Sequence, residues 1–389
     1  MKILWLSDSP MSVTGYATIS WNILNKLSEA GHECYFLAHN YIGQPIPPGL
    51  KLKDGTEFKF TVLGGSPKPY SQDLISPYIK KLNIDVFCIL LDTFMTYPWL
   101  LNMDFSPAKT IFYFPSDGGG GMPLGCENIL KKVNCPVAMA KFGQRQVKEL
   151  YQIDTKYIPH AIDTKVYYPL SKEEREKIKE KWGLKDKFVV GVVQRNQGRK
   201  MPDRLIKSFS IFAKNHPDAV LFLHTDPQDV AAPFDLTQLI LREKIQNKVI
   251  FSGMNFFNGF DYKQMNEVYN LMDVFFLTTS GEGFGIPIIE AMACGITPVV
   301  TDYTTTQELL IEEGVCGVPV KVAAELTGSW NVERAIMSDE DGAQALEYLY
   351  NNPKVREDLG KVGIEKVKKF YNWNSVGEEW NKLVKELVK

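Results

Sequence analysis

Short apolar runs alternate with amphipathic segments along the chain, and this alternation predicts a repeated strand–helix fold. Residues 2–6 and 34–38 are short apolar runs, and residues 17–30 between them carry apolar side chains at helical spacing up to Gly31. Short β-branched and aromatic runs favour buried strands, whereas a spacing of three and four residues favours amphipathic helices. A strand, a helix and a further strand form the unit of a doubly wound sheet.

The same alternation continues beyond residue 72, after a stretch rich in proline and glycine that predicts only a short strand near 58–63. Further strands are predicted at 85–91, 110–114, 134–140, 187–194, 219–224, 248–252, 273–278 and 296–301. Helices are predicted at 75–82, 142–151, 172–181, 203–215, 236–244 and 262–271, with two more between 343 and 371. The pattern predicts an α/β protein with two doubly wound sheets.

The composition excludes several classes of protein. Apolar residues make up 44% of the 389 residues and charged residues 23%, as in globular domains. The net charge of −2 gives no overall field that would favour nucleic acid. The five histidines show no metal-ligand spacing and the six cysteines no paired spacing, so neither a metal site nor a disulfide framework is predicted.

The apolar segment at 84–101 is interrupted by Asp85, Asp92 and Pro98, which argues against a membrane span. The first apolar run is also too short for a signal peptide. These features predict a cytoplasmic protein without a transmembrane segment.

A glycine-rich motif at residues 280–295 is the strongest candidate for chemistry. It follows a predicted strand and contains Gly281, Gly283 and Gly285 before a helical pattern that ends at Gly295. Glycines allow a sharp turn and the close approach of a ligand, and the free amides at a helix start favour an anion. The motif therefore predicts an anion-binding site.

Two glutamates flank this loop, Glu282 within it and Glu290 in the first helical turn. An acid in a first turn can simply favour the helix dipole, which explains Glu290 equally well on its own. The pair around Gly-Phe-Gly-Ile-Pro resembles the paired-glutamate motif of the retaining GT-B glycosyltransferases of family 4 type (glycosyl transferases group 1). That resemblance implies that Glu290 holds the ribose of a nucleotide sugar and that Glu282 lies beside the transferred sugar. The loop residues that would face the diphosphate and the sugar are Gly283, Phe284, Gly285 and Ile286.

A second strand–loop–helix junction carries three cations, Arg195, Arg199 and Lys200. Such cations suit a diphosphate, although lysine and arginine are also common on loops. The resemblance implies that Arg195 and Lys200 bind the donor diphosphate and stabilise its leaving charge, and it gives Arg199 no role. It further implies that Gly15 leaves room for the diphosphate and that Met254 contacts the nucleobase through its backbone.

Four consecutive glycines, residues 118–121, follow another predicted strand. Such a run is either a disordered surface loop or an acceptor-side loop beside the sugar, because strand ends in these sheets bind ligands. Many members of the resembled family have a histidine here, where this chain has Ser116 and Asp117. The resemblance therefore makes Asp117 the candidate sugar contact. His160 is equally well explained as a structural or a ligand-binding residue.

The resemblance also predicts the domain organisation, with two Rossmann-like domains that face each other across a cleft. Residues 157–169 resemble the end of the first domain in the family. We therefore expect residues 1–165 to form the acceptor-side domain and residues 166–371 the nucleotide-sugar domain. The segment 372–389 is expected to form a helix that packs back on the first domain.

The function implied is that of a metal-independent retaining hexosyltransferase without a cofactor, which uses a nucleotide-diphosphate sugar as donor. The sequence leaves open the nucleotide, the sugar, the oligomeric state, a peripheral membrane contact, and whether the acceptor is a sugar, a lipid or a protein. One alternative is a sugar-nucleotide epimerase or a glycan phosphorylase. A second alternative is a non-catalytic protein that binds a sugar nucleotide.

Overall fold

Two parallel sheets form the centre of the structure, a computed structural model that describes residues 1–12, 14–51, 55, 57–229, 232–254 and 259–389. The strands of the first sheet are β1 Lys2–Ser7, β2 Glu33–Ala38, β3 Thr61–Gly64, β4 Val86–Ile89, β5 Lys109–Phe114, β6 Cys135–Ala138 and β7 Lys156–Tyr157. Those of the second are β8 Phe188–Val193, β9 Ala219–His224, β10 Val249–Phe251, β11 Val274–Leu277, β12 Thr297–Thr301 and β13 Val318–Val320.

Helices connect these strands. Those before the second sheet are α1 Gly15–Glu29, α2 Gln72–Leu82, α3 Thr93–Leu100, α4 Cys126–Lys132, α5 Lys141–Tyr151 and α6 Lys172–Lys181. The later ones are α7 Pro202–Ala213, α8 Leu236–Arg242, α9 Tyr262–Asn270, α10 Ile286–Ala293, α11 Asp339–Asn351, α12 Pro353–Phe370 and α13 Trp373–Val388. Within the described ranges, no helix is both long enough and apolar enough to cross a bilayer.

The strand order is β3-β2-β1-β4-β5-β6-β7 in the first sheet and β10-β9-β8-β11-β12-β13 in the second. The order in which strands are added to the sheet therefore reverses between β1 and β4 in the first sheet and between β8 and β11 in the second. Parallel α/β sheets bind ligands in the crevice outside the carboxyl ends of the strands at such a switch. The loops that follow these four strands are consequently the place to look for a site.

The last helix connects the two halves of the molecule. α13 follows α12 of the second half and packs on α1 of the first. The Trp380 ring lies 5.3 Å from the Trp5 ring and 5.0 Å from the Tyr113 ring, in edge-on arrangements, and is completely buried. Edge-on aromatic pairs add to the stabilisation that burial provides, so this contact holds the end of the chain on the first sheet.

Besides the edge strands β7 and β13, three elements have no counterpart in the sequence predictions. α3 and α4 lie in the first half, and α3 contains Pro98 in its interior. The third is an antiparallel hairpin, β14 Val322–Thr327 and β15 Glu333–Met337, which pairs with neither large sheet. We call it the cleft hairpin, because it reaches from the second half to the first. Most β14 side chains are exposed, so the hairpin has little apolar pattern.

Candidate active site

The glycine motif forms the loop that connects β11 to α10. Gly285 is the N-cap residue of α10 and has a φ of 105°, which favours glycine. Because it has no side chain, no cap occupies the first amides of the helix, and Pro287 in the first turn has no amide hydrogen. The amino end of α10 is thus available to an anion, as the sequence predicts.

The loop after β8 lies against this motif. Its residues Gly198–Lys200 form a 3₁₀ turn, and the Ser280 amide donates a 2.6 Å hydrogen bond to the Arg199 carbonyl. The Thr278 hydroxyl donates to the Met201 carbonyl at 2.8 Å. These bonds tie the two loops of the β8–β11 switch point into one unit.

Glu282 lies between two cations of that unit. Its carboxylate is 2.6 Å from the Lys200 ammonium and 2.9 Å from the Arg199 guanidinium. The side chains of Glu282 and Lys200 are 6% and 8% exposed. Burial alone would raise the pKa of Glu282, but the charges of Arg199 and Lys200 outweigh it and lower the pKa to about 2. Burial and the neighbouring Arg199 lower the pKa of Lys200 to about 8, so all three groups are charged at pH 7.

Arg195 pairs with a carboxylate, whereas its predicted role is to bind the donor diphosphate. Its Nε atom is 2.9 Å from the Asp229 carboxylate, and its side chain is 41% exposed. It lies on the loop that carries Lys200, but Arg199 is the arginine that joins Lys200 at Glu282. Sequence reasoning gave Arg199 no role, because the turn that directs it toward Glu282 is not visible in the order of the residues.

Residues of the first half close over the glycine motif. A Cβ atom on Gly15, the first residue of α1, would lie 3.3 Å from the Ile286 side chain. One on Gly283 would lie 2.8 Å from Pro115, which is too close without a shift. Across the cleft, Gly15 of the first domain therefore meets Ile286, and Pro115 of the first domain meets Gly283.

Asp117 reaches the same cleft from the loop after β5. Its carboxylate forms a 3.0 Å ion pair with Arg334 of the cleft hairpin and lies 3.9 Å from Arg199. The Arg334 guanidinium also donates to the Asp117 carbonyl. Asp117 thus lies next to the ion pairs of Glu282 with Arg199 and Lys200, which we call the Glu282 cluster. The Asp117 side chain is 35% exposed.

Asp92, which follows β4, is a further acidic group here that sequence reasoning missed. The Tyr16 hydroxyl donates a 2.6 Å hydrogen bond to its Oδ1 atom. Burial raises the pKa of Asp92, and the nearby charge of Asp117 adds to this effect. Its position at the carboxyl end of a central strand was a signal that could have identified it.

Glu290 lies on α10, with one carboxylate oxygen 2.5 Å from the Tyr269 hydroxyl, which donates to it. Burial raises the pKa of Glu290 to about 7. Glu290 lies on the helix that begins at the glycine loop. Because α10 begins at Ile286, Glu290 lies in its second turn, and the predicted first-turn position is wrong.

The remaining predicted residues lie around this centre. Phe284 is buried, and its ring is 4.8 Å from the ring of His160. Neither His160 ring nitrogen has a hydrogen-bond partner, and burial lowers its pKa to about 3, so it is neutral. This packing favours the structural explanation of His160. The Met254 amide donates to the Ser252 hydroxyl at 3.4 Å, in the loop after β10.

Comparison with known families agrees with the glycosyltransferase resemblance of the glycine motif. Residues 174–366 match the family model described as glycosyl transferases group 1. This part of the chain, which contains the second sheet, belongs to this family.

Two relatives illustrate the similarity. The chain is 25% identical over 234 residues to mannosylfructose-phosphate synthase from Agrobacterium fabrum, a match that covers 58% of this chain and 46% of the relative. It is 26% identical over 281 residues to the GDP-mannose-dependent monoacylated alpha-(1-6)-phosphatidylinositol monomannoside mannosyltransferase of Corynebacterium glutamicum, with 68% and 67% covered. The chain spans about half the length of relatives such as the first.

Solved structures share the whole architecture. Sucrose-phosphate synthase from Thermosynechococcus elongatus superposes with a TM-score of 0.79 at 17% identity, with 100% of this chain and 99% of the other covered. The Anabaena protein HepE, solved in complex with UDP and glucose, superposes with a TM-score of 0.73 at 16% identity, with 99% and 100% covered. The predicted fold class, two Rossmann-like domains in the GT-B arrangement, is confirmed.

Proposed function

We propose that this protein is a retaining glycosyltransferase of the family 4 type, which transfers a sugar from a nucleotide-diphosphate donor to a hydroxyl group of an acceptor. One observation carries the proposal. The Lys200–Glu282 ion pair belongs to the loops beside the free amino end of α10, at a cleft where Gly15 of the other domain approaches Ile286 closely. Cationic groups, open amides and a carboxylate beside them are the groups that such a transfer requires.

The diphosphate would bind at the amino end of α10, with Lys200 as its nearest cation. Phosphate oxygens would replace the Glu282 carboxylate as a partner of the ammonium. Arg195 would reach the diphosphate after it separates from Asp229, and Arg199 would stay with Glu282. These fixed positive groups stabilise the charge that develops on the leaving diphosphate, which is an electrostatic contribution to the rate.

Glu282 would stabilise or orient the sugar ring as positive charge develops on it. Arg199 would keep the carboxylate ionised and in place, and this pairing makes it a poor nucleophile. We therefore favour attack from the face of the leaving group. The acceptor oxygen bonds to the anomeric carbon, the bond from that carbon to the phosphate oxygen breaks, and the leaving phosphate takes the acceptor proton.

The donor end is supported by Glu290 and by Met254. The Glu290 carboxylate would accept hydrogen bonds from the ribose hydroxyls, and the Met254 backbone would face the base. The complex of HepE with UDP and glucose supports a nucleotide sugar as the donor class. The choice among UDP, GDP and ADP donors depends on pocket shape. A thermal-shift panel of the three kinds of donor would identify it, because a bound ligand raises the melting temperature.

The variant Glu282→Gln tests the proposal. It keeps the size of the side chain and removes the charge, so we expect nucleotide binding to persist and sugar transfer to fall by at least a hundredfold. Binding is measured by calorimetry with the nucleoside diphosphate, and transfer by release of that diphosphate from the donor. A non-catalytic binding protein would show no transfer in the wild type. An epimerase would convert the donor sugar without releasing the diphosphate.

A further inference from the structure

The cleft hairpin binds the four-glycine loop of the first domain. The Gly119 amide donates to the Glu333 carbonyl at 3.1 Å, and the Glu333 amide donates back to the Gly119 carbonyl at 3.0 Å. The Tyr303 hydroxyl lies between them, 2.9 Å from the Gly119 amide and 3.1 Å from the Glu333 carbonyl. Two reciprocal backbone bonds form a short antiparallel pairing between the domains.

This pairing explains the run of glycines. A Cβ atom on Gly118 would overlap with Val332 and the Glu333 carbonyl, and one on Gly120 would overlap with the Glu333 side chain. By contrast, a Cβ atom on Gly121 would lie 3.8 Å from the nearest atom, the Asn331 carbonyl oxygen. The buried Gln146 amide donates to the Gly118 carbonyl at 2.8 Å, which also holds the loop. The glycines therefore allow the hairpin to approach closely, and the alternative of a disordered loop is wrong.

A pocket lies under this contact. The first domain lines it with Asp92, Phe94 and Asp117, and the cleft hairpin lines it with Trp330, Val332 and Arg334. The Trp330 ring stacks on Phe94, with centroids 5.0 Å apart and planes 12° apart, and Trp330 is 56% exposed.

The pocket adjoins the Glu282 cluster. The Ala335 amide of the hairpin donates to the Ser280 carbonyl at 3.1 Å, at the start of the glycine motif. Asp117 lies 3.9 Å from Arg199, which in turn binds Glu282. A group in the pocket would therefore be next to the sugar of a donor at Glu282.

The chemistry of the lining indicates the class of ligand. Carboxylate oxygens such as those of Asp117 accept hydrogen bonds from hydroxyl groups, and the Tyr16 contact of Asp92 uses only its Oδ1 atom. An exposed indole face such as that of Trp330 packs against the C–H face of a ring. Carboxylates together with an aromatic surface fit a ring that carries several hydroxyl groups.

We propose that this pocket is an acceptor subsite which neither domain forms alone, with the cleft hairpin as its outer wall, and that it takes a polyhydroxylated ring. In this subsite Trp330 stacks on the ring, and Arg334 is a positioning residue that fixes Asp117. The inference rests on the proposed glycosyltransferase function, of which it specifies the acceptor.

Alanine variants of Gly118 and of Leu124, which follows the loop, test this subsite. Gly118→Ala places a methyl group against the hairpin, whereas Leu124→Ala shortens a side chain that is 75% exposed and does not line the pocket. With the donor found by the thermal-shift panel, transfer is measured to methyl α-D-glucopyranoside, to myo-inositol and to glycerol, beside donor hydrolysis. We expect the wild type and Leu124→Ala to use at least one of the ring compounds in preference to glycerol. In Gly118→Ala and Trp330→Ala the ratio of ring transfer to hydrolysis should fall at least tenfold.

The subsite is refuted if Trp330→Ala keeps the wild-type ratio, if glycerol serves as well as the rings, or if Gly118→Ala and Leu124→Ala behave alike. A failure of the proposed function looks different, because the wild type would then neither bind nor cleave any nucleotide sugar. In that case titration with the same ring compounds, followed by tryptophan fluorescence, still tests the pocket. A response in the wild type that Trp330→Phe abolishes supports it. The absence of a response, or one that Trp330→Phe retains, overturns it.

Discussion

The Lys200 ammonium lies 2.6 Å from the Glu282 carboxylate, and both side chains are almost completely buried. Each residue stands in a loop at the β8–β11 switch point, and Arg199 forms the second ion pair of Glu282. A carboxylate can stay ionised in a buried site when neighbouring cations compensate its charge. The two ion pairs also hold Lys200 and Arg199 in position. Lys200 is therefore in position before the donor arrives, whereas Arg195 has to leave Asp229 to reach the proposed donor site.

The first prediction concerns Lys200. In Lys200→Ala the donor diphosphate loses its nearest cation, and we expect a ten- to hundredfold lower donor affinity, since a charge-assisted hydrogen bond contributes about 1.5–3 kcal/mol. Calorimetric titration with the nucleoside diphosphate measures it. Lys172→Ala is the control, because the Lys172 side chain is 86% exposed. Unchanged affinity in Lys200→Ala would contradict the diphosphate assignment.

The second prediction concerns metal ions. In the proposed site, Lys200, Arg195 and the α10 amides would supply the positive charge that a divalent ion would otherwise provide to a leaving diphosphate. We expect the transfer rate after treatment with EDTA to stay within about twofold of the untreated rate, with or without added Mg²⁺. A loss of at least tenfold that Mg²⁺ restores would show that the cations are insufficient.

The fold was predictable because its elements have local signals. Buried strands such as β8 and β11 are short apolar runs, and α1 ends before Gly31 as its spacing predicts. The glycine motif was recognisable for the same reason, since its strand, loop and helix are contiguous in the chain.

The cleft hairpin was not predictable, because what holds it is distant in sequence. Gly119 pairs with Glu333 of the hairpin but precedes it by more than half the length of the chain. No local sequence pattern therefore connects the four glycines with β15. The choice between Arg195 and Arg199 at Glu282 was equally hidden, because the 3₁₀ turn at Gly198–Lys200 decides it. The roles of these residues remain predictions.

The third prediction concerns the pH dependence of stability. The pKa of Glu290 is raised from 4.5 to about 7 by burial, so between these values the folded protein holds a proton that the unfolded chain releases. Glu290 therefore contributes a stability that is present at pH 4.5 and is lost as the pH rises through 7.

Glu290→Gln should remove that contribution, so its free energy of unfolding should fall less than that of the wild type between pH 4.5 and 8. Urea denaturation at several pH values measures it. The exposed Glu365→Gln is the control and should keep the wild-type slope. If Glu290→Gln also keeps that slope, the carboxyl group is not protonated in the folded state.

The fourth prediction concerns the contact of α13 with the first domain. Trp380 is fully buried between Trp5 and Tyr113, so Trp380→Ala leaves a large cavity and should lower the free energy of unfolding by about 3–5 kcal/mol. Trp380→Phe should lose less, because it keeps an aromatic ring near both partners. Val388→Ala, near the exposed end of the same helix, is the control and should change stability by less than about 0.5 kcal/mol. Because α13 follows the second domain in the chain, a loss in Trp380→Ala no larger than that of the control would mean that the two domains hold together without this helix.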